Sequence, residues 1–65
     1  MLQQFNVQGM TCGHCARAVT QAVHQVDPGA EVKVDLPHGQ VSVQSDQPRE
    51  AIARAIRDEG YAVAA

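Results

Sequence analysis

Seven residues, Gly9-Met10-Thr11-Cys12-Gly13-His14-Cys15, constrain this chain more than any other stretch. They hold its only two cysteines, with two residues between them. An alternating pattern runs into them, and an amphipathic helix is expected to start at Cys15. Two thiols at this spacing can converge on one soft metal ion or close into a disulfide. At 65 residues the chain is expected to be a single domain, residues 1–65. A chain this small buries only about 60% of its unfolded surface. A disulfide across so small a loop would add little entropic stabilisation. The fold must therefore rest on an aliphatic core rich in Val, Ala and Ile, with no room for a catalytic cleft between domains.

Charge narrows the function classes. The net charge is −2, with acidic and basic residues interspersed, and the aromatics are only Phe5 and Tyr61. A nucleic-acid binder would show a basic patch, often with stacking aromatics. No apolar run approaches the ~20 residues of a membrane span, so no membrane insertion is expected. Met1-Leu2-Gln3-Gln4 lacks the charged start and apolar centre of a signal peptide. A cytoplasmic location is the expectation, and there thiols stay reduced. An initiating Met1 and a stop soon after the last strand favour a free protein.

The rest of the chain supplies the scaffold. Gln3, Phe5 and Val7 share one parity of a first strand over Leu2 to Gln8, with Leu2 on the outer parity. Cys15, Val19, Ala22, Val23 and Val26 then fall on one helical face, opposite Arg17, Gln21 and His24. Asp27-Pro28-Gly29 stops that helix. Ala30, Val32, Val34 and Leu36 alternate with charged residues, and after Pro37-His38-Gly39 so do Val41 and Val43 with polar ones, which predicts a hairpin. Ser45-Asp46-Gln47-Pro48 starts a second helix, with Pro48 in its first turn. Its expected apolar stripe is Ile52, Ala55 and Ile56, with Glu50, Arg54 and Asp58 able to pair along the solvent side. Gly60 is a left-handed stop, and Tyr61 and Val63 open a short last strand.

The order βαββαβ is the ferredoxin-like α+β sandwich, a four-stranded antiparallel sheet with two helices on one face. That topology brings the cysteine loop, the His38 turn and Tyr61 to one end. In the usual strand order 4-1-3-2, Tyr61 is nearer the cysteines than His38.

Two thiolates suffice for a near-linear Cu(I) or Hg(II) site, whereas zinc requires four ligands, or three and an open position. Thr11 cannot add the hard oxygen that a carboxylate there would supply. The helix start lowers the pKa of Cys15, and its N–H groups stabilise the net negative charge of a two-thiolate Cu(I) site. Gly13 leaves the loop free to bring the sulfurs together. Met10 reads as a core anchor under the loop rather than a thioether ligand. His14 points outward between the cysteines, and His24 and His38 read as exposed. Cys12 and Cys15 are thus the metal-ligating candidates, with Met10, Thr11, Gly13, His14 and Tyr61 around them.

The Gly-Met-Thr-Cys-x-x-Cys string, with Gly60-Tyr61 before the last strand, resembles the heavy-metal-associated domain family over the whole chain. Within it the chain is most similar to the stand-alone bacterial copper chaperones of the CopZ type. The resemblance implies a non-enzymatic cytosolic carrier that binds Cu(I) through Cys12 and Cys15. It also implies delivery to the related amino-terminal domain of a copper-transporting P-type ATPase. Transfer would run by thiolate exchange, with Cys12 as first contact. Asp27-Pro28-Gly29-Ala30 departs from the Gly-Val common in the family at this connection. Whether the carrier is monomeric or a metal-bridged homodimer stays open. So do the competing readings, a thiol oxidoreductase using the same cysteines and a carrier of Hg(II) or Zn(II).

Overall fold

The computed structural model describes residues 2–64, so Met1 lies outside the described residues. Six elements follow in the expected order: β1 (Leu2–Gln8), α1 (Gly13–Val26), β2 (Glu31–Asp35), β3 (Gln40–Gln44), α2 (Arg49–Asp58) and β4 (Ala62–Ala64). The sheet order is β2-β3-β1-β4, and every pairing is antiparallel. This is the ferredoxin-like arrangement.

Register follows from parity. Phe5 pairs with Val41, Val41 with Val34, and Val7 with Val63, so each rung places apolar side chains on one face. Slipping any strand by one residue would turn that row to solvent. Val19 and Val23 of α1 and Ile52 and Ile56 of α2 close over this face, all fully buried. Each such side chain contributes roughly 1.5–3 kcal/mol by leaving water. Leu2, on the outer parity, is 61% exposed.

Several local expectations are corrected. α1 begins at Gly13, two residues before Cys15, because the Cys12 carbonyl accepts from the N–H groups of Cys15 and Ala16 at 3.1 and 3.3 Å. Pro48 precedes α2 as its cap rather than sitting inside the first turn. In α2 it is Ala53, not Ala55, that is buried with Ile52 and Ile56; Ala55 lines a groove shared with Ala22 and Val26 of α1. Glu50 pairs with Arg57 at 2.5 Å rather than with Arg54. At two full turns' distance, both long side chains must extend along the helix to meet. β4 opens at Ala62, leaving Tyr61 in the connection. His24 is half-buried, its Nε2 2.9 Å from the Ala30 carbonyl. His38 is exposed, with Nδ1 2.9 Å from Asp35 Oδ2.

The short β4 leaves part of β1 without a strand neighbour on that side. Arg49 covers the gap: its guanidinium donates to the Gln4 carbonyl at 2.7 Å and lies 4.3 Å over the Phe5 ring. At the end away from the cysteines, Asp27 accepts from Gly29 N–H at 3.1 Å and from the Ser45 hydroxyl at 2.6 Å. This is how the Asp-Pro-Gly connection closes. Ser45 in turn accepts from Gln47 N–H at 3.0 Å, so one buried hydroxyl ties the two αβ and βα connections together.

At the cysteine end, Gly39 adopts φ +64° and its carbonyl accepts from Val7 N–H at 2.7 Å. A Cβ on Gly39 would lie 2.9 Å from the Val7 carbonyl oxygen. The β2–β3 turn thus rests directly on the end of β1. Gly60 is left-handed, as expected, with φ +99°.

Candidate metal centre

β1 delivers the loop and α1 fixes its far side. Cys12 is the cap residue of α1, in extended conformation, and Cys15 lies in the first turn. No side chain caps this end, and no acidic residue sits in the first turn. The unpartnered N–H groups and the positive end of the helix dipole therefore face the cysteine loop. Both thiols are free; Cys12 is exposed and Cys15 half-buried.

Donors from three residues converge on Cys15. Its thiol is held down to about 6, from an ordinary value of 9.0. The Thr11 backbone N–H contributes most, followed by the Tyr61 hydroxyl, the Thr11 hydroxyl and the Cys12 N–H, while desolvation opposes them. Thr11 Oγ1 is 3.8 Å from Cys15 Sγ. The same contact acts on Tyr61, whose hydroxyl is raised above its ordinary value of 10.0, mainly because it donates to the Cys15 sulfur. Cys15 is thus substantially ionised at neutral pH with no metal present.

Of the surrounding residues, Met10 and Tyr61 pack against the core. Gly13 is the first helical residue, and a Cβ there would meet nothing within 4 Å. His14 is exposed. The Tyr61 ring also lies over Gly9, where a Cβ would sit 3.5 Å from it. His38 is engaged with Asp35. Among the described residues, no group of three or more His, Cys, Asp or Glu side chains is placed to hold a metal.

Thr11 is expected beside the cysteines as a residue unable to ligate; its peptide and its hydroxyl both serve the Cys15 sulfur. The i to i+4 spacing from Thr11 to Cys15 was the available signal.

Comparison with known proteins shows the family. Residues 4–62 match the heavy-metal-associated domain. The copper chaperone CopZ of Staphylococcus aureus (strain bovine RF122 / ET3-1) is 46% identical over 62 residues, covering 91% of each chain. A solved CopZ metallochaperone superposes with a TM-score of 0.92 at 41% identity, over 98% of this chain and 100% of that one. The copper chaperone Atx1 of Synechocystis PCC6803 in its Cu2 form superposes with a TM-score of 0.91 at 37% identity, over 95% of this chain and 98% of that one. Sharing that fold with an unbroken Cys-x-x-Cys loop, the chain belongs to the heavy-metal-associated domain family.

Proposed function

We propose that this chain is a cytosolic copper chaperone, a carrier rather than an enzyme, acting as one domain over residues 1–65. Cu(I) is its cargo, held between the Cys12 and Cys15 sulfurs. The observation that carries this reading is the pair of free thiols at an uncapped helix start, with Cys15 already favouring the thiolate. Two thiolates and Cu(I) sum to one negative charge, which the peptide N–H groups and the helix end favour. Soft sulfur donors suit Cu(I), and the likeness to copper chaperones supports copper over other soft ions.

Release follows from the unequal exposure of the two sulfurs. A cysteine thiolate of the acceptor attacks the ion from the open Cys12 side and forms a third Cu–S bond. The Cu–Cys12 bond then breaks, and a second acceptor thiolate displaces Cys15. Copper stays Cu(I) throughout, so no electron source is needed. The acceptor we infer is the homologous amino-terminal domain of a copper-transporting P-type ATPase, which presents the same two thiols.

The test is a Cu(I) titration under reducing conditions against a chromogenic chelator, with Zn(II) and Hg(II) as competitors. Cys12→Ser and Cys15→Ser should each weaken Cu(I) binding severely. Unchanged affinity in both variants overturns the site, and preference for Zn(II) overturns the cargo.

A further inference from the structure

We propose that the outer edge of β2 is a self-association surface, on which a second copy of this chain adds its own β2 antiparallel and extends the sheet. β2 is the last strand on its side of the sheet, and among the described residues no strand pairs with its outer edge. An unpaired edge presents a row of N–H and C=O groups that template a further strand. Beside this edge runs a shallow groove lined by Ala16, Arg17, Thr20 and Gln21 of α1 and by Val32 and Val34. Val32, Val34 and the following Leu36 are only half-buried, whereas Val41 and Val43 on the inner neighbour are fully buried. The edge strand thus leaves apolar surface uncovered on its helix-side face.

Charge selects both the occupant and the register. The outward residues of β2 are Glu31, Lys33 and Asp35, all exposed. Antiparallel pairing centred on Lys33 would oppose Lys33 to Lys33 and Glu31 to Asp35, which is repulsive at every charged rung. Pairing centred on Val34 opposes Lys33 of each copy to Asp35 of the other. It also stacks Val34 on Val34 and sets Val32 beside Leu36, covering the half-buried row reciprocally. Asp35 already engages His38 through Oδ2, and its second oxygen receives the lysine.

The contact is one short strand pair, well below the ~1,000 Å² of a stable interface, so association is weak and reversible. Because β2 runs toward the cysteine end, antiparallel pairing places the two cysteine loops at opposite ends of the joined sheet. Both sites stay open to cargo, and association needs no metal. This separates it from a dimer bridged by copper.

The experiment is sedimentation equilibrium on the reduced, metal-free protein up to millimolar concentration, repeated with Cu(I) bound. Concentration-dependent dimerisation is expected, with the same constant in both forms. Lys33→Asp and Asp35→Lys should each weaken it about tenfold, because each turns two attractive rungs repulsive, and the double swap should recover most of the loss. Circular dichroism shows that the variants fold; both positions face solvent. A strictly monomeric protein, dimerisation that appears only with copper, or a double swap that recovers nothing overturns the proposal.

Discussion

Cys15 draws its acidity from donors that are fixed before any metal arrives. The largest is a peptide N–H, which no side-chain substitution can remove. Thr11→Val therefore deletes only the hydroxyl share. Alkylation rate against pH should show a Cys15 midpoint of about 6 in the wild type, moved upward in Thr11→Val but still below the ordinary thiol value. A midpoint at the ordinary value in the wild type would remove the electrostatic account. Tyr61 serves the same loop in two ways, with a ring over Gly9 and a hydroxyl that donates to the Cys15 sulfur. Tyr61→Phe keeps the ring, and its effect on Cu(I) affinity should stay within about tenfold, or ~1.4 kcal/mol. Tyr61→Ala removes both and should speed Cu(I) loss to a competing chelator. An unchanged off-rate in Tyr61→Ala would leave the residue as packing alone. The cysteine pair and Tyr61 were legible in the sequence because spacing and topology place them. The role of Thr11 was not, because it acts largely through its backbone, which carries no side-chain signature.

At the scale of elements, periodicity located all six, and the misreadings fell at their ends and in which residues of α2 are buried or paired. α1 starts at Gly13 because the Cys12 carbonyl can accept from the first turn, a possibility that apolar spacing alone does not reveal. Ala53 replaces Ala55 in the core: it belongs to the cluster that holds Phe5, Ile52 and Ile56, with Val63 packed against it. The least legible feature was Ser45, read as part of a helix start and found 5% exposed between two connections. Its hydroxyl donates to Asp27 and accepts from Gln47 N–H. Ser45→Ala leaves a carboxylate oxygen and a peptide N–H short of a partner, which should cost about 1–3 kcal/mol. Urea unfolding measures it; a loss below about 0.5 kcal/mol, the range of ordinary surface changes, would mean that the connections close without it. Gly39→Ala tests the opposite end, where a positive φ and the Val7 carbonyl both resist a Cβ. A penalty of roughly 1–3 kcal/mol is expected from the backbone strain alone.

Across the whole molecule the same cysteine contact couples the site to folding, and the coupling has a definite sign. The Cys15 thiol is lower in the folded chain than its ordinary 9.0, about 6. A depressed value means that the unfolded chain binds more protons between those limits, so stability rises with pH across that window. The contribution is complete above about 9 and is lost as pH falls through about 6. Tyr61 bounds it on the other side. Its hydroxyl is raised above 10.0 by the Cys15 thiolate, so its contribution is whole below 10 and fades as pH climbs through the folded value. The Tyr61 shift and the share of the Cys15 shift that Tyr61 supplies are one O–H donating to one thiolate, while the Thr11 N–H supplies the largest share at Cys15. The metal-free, reduced protein should therefore gain stability relative to Cys15→Ser as pH rises from 6 to 9. Subtracting the variant removes the carboxylate and histidine contributions common to both chains. Urea midpoints for the two proteins at matched pH measure the difference. A difference that is flat across the window, or that shrinks as pH rises, would mean that the thiolate is not favoured by the fold. The helix start would then be a site that only metal can ionise.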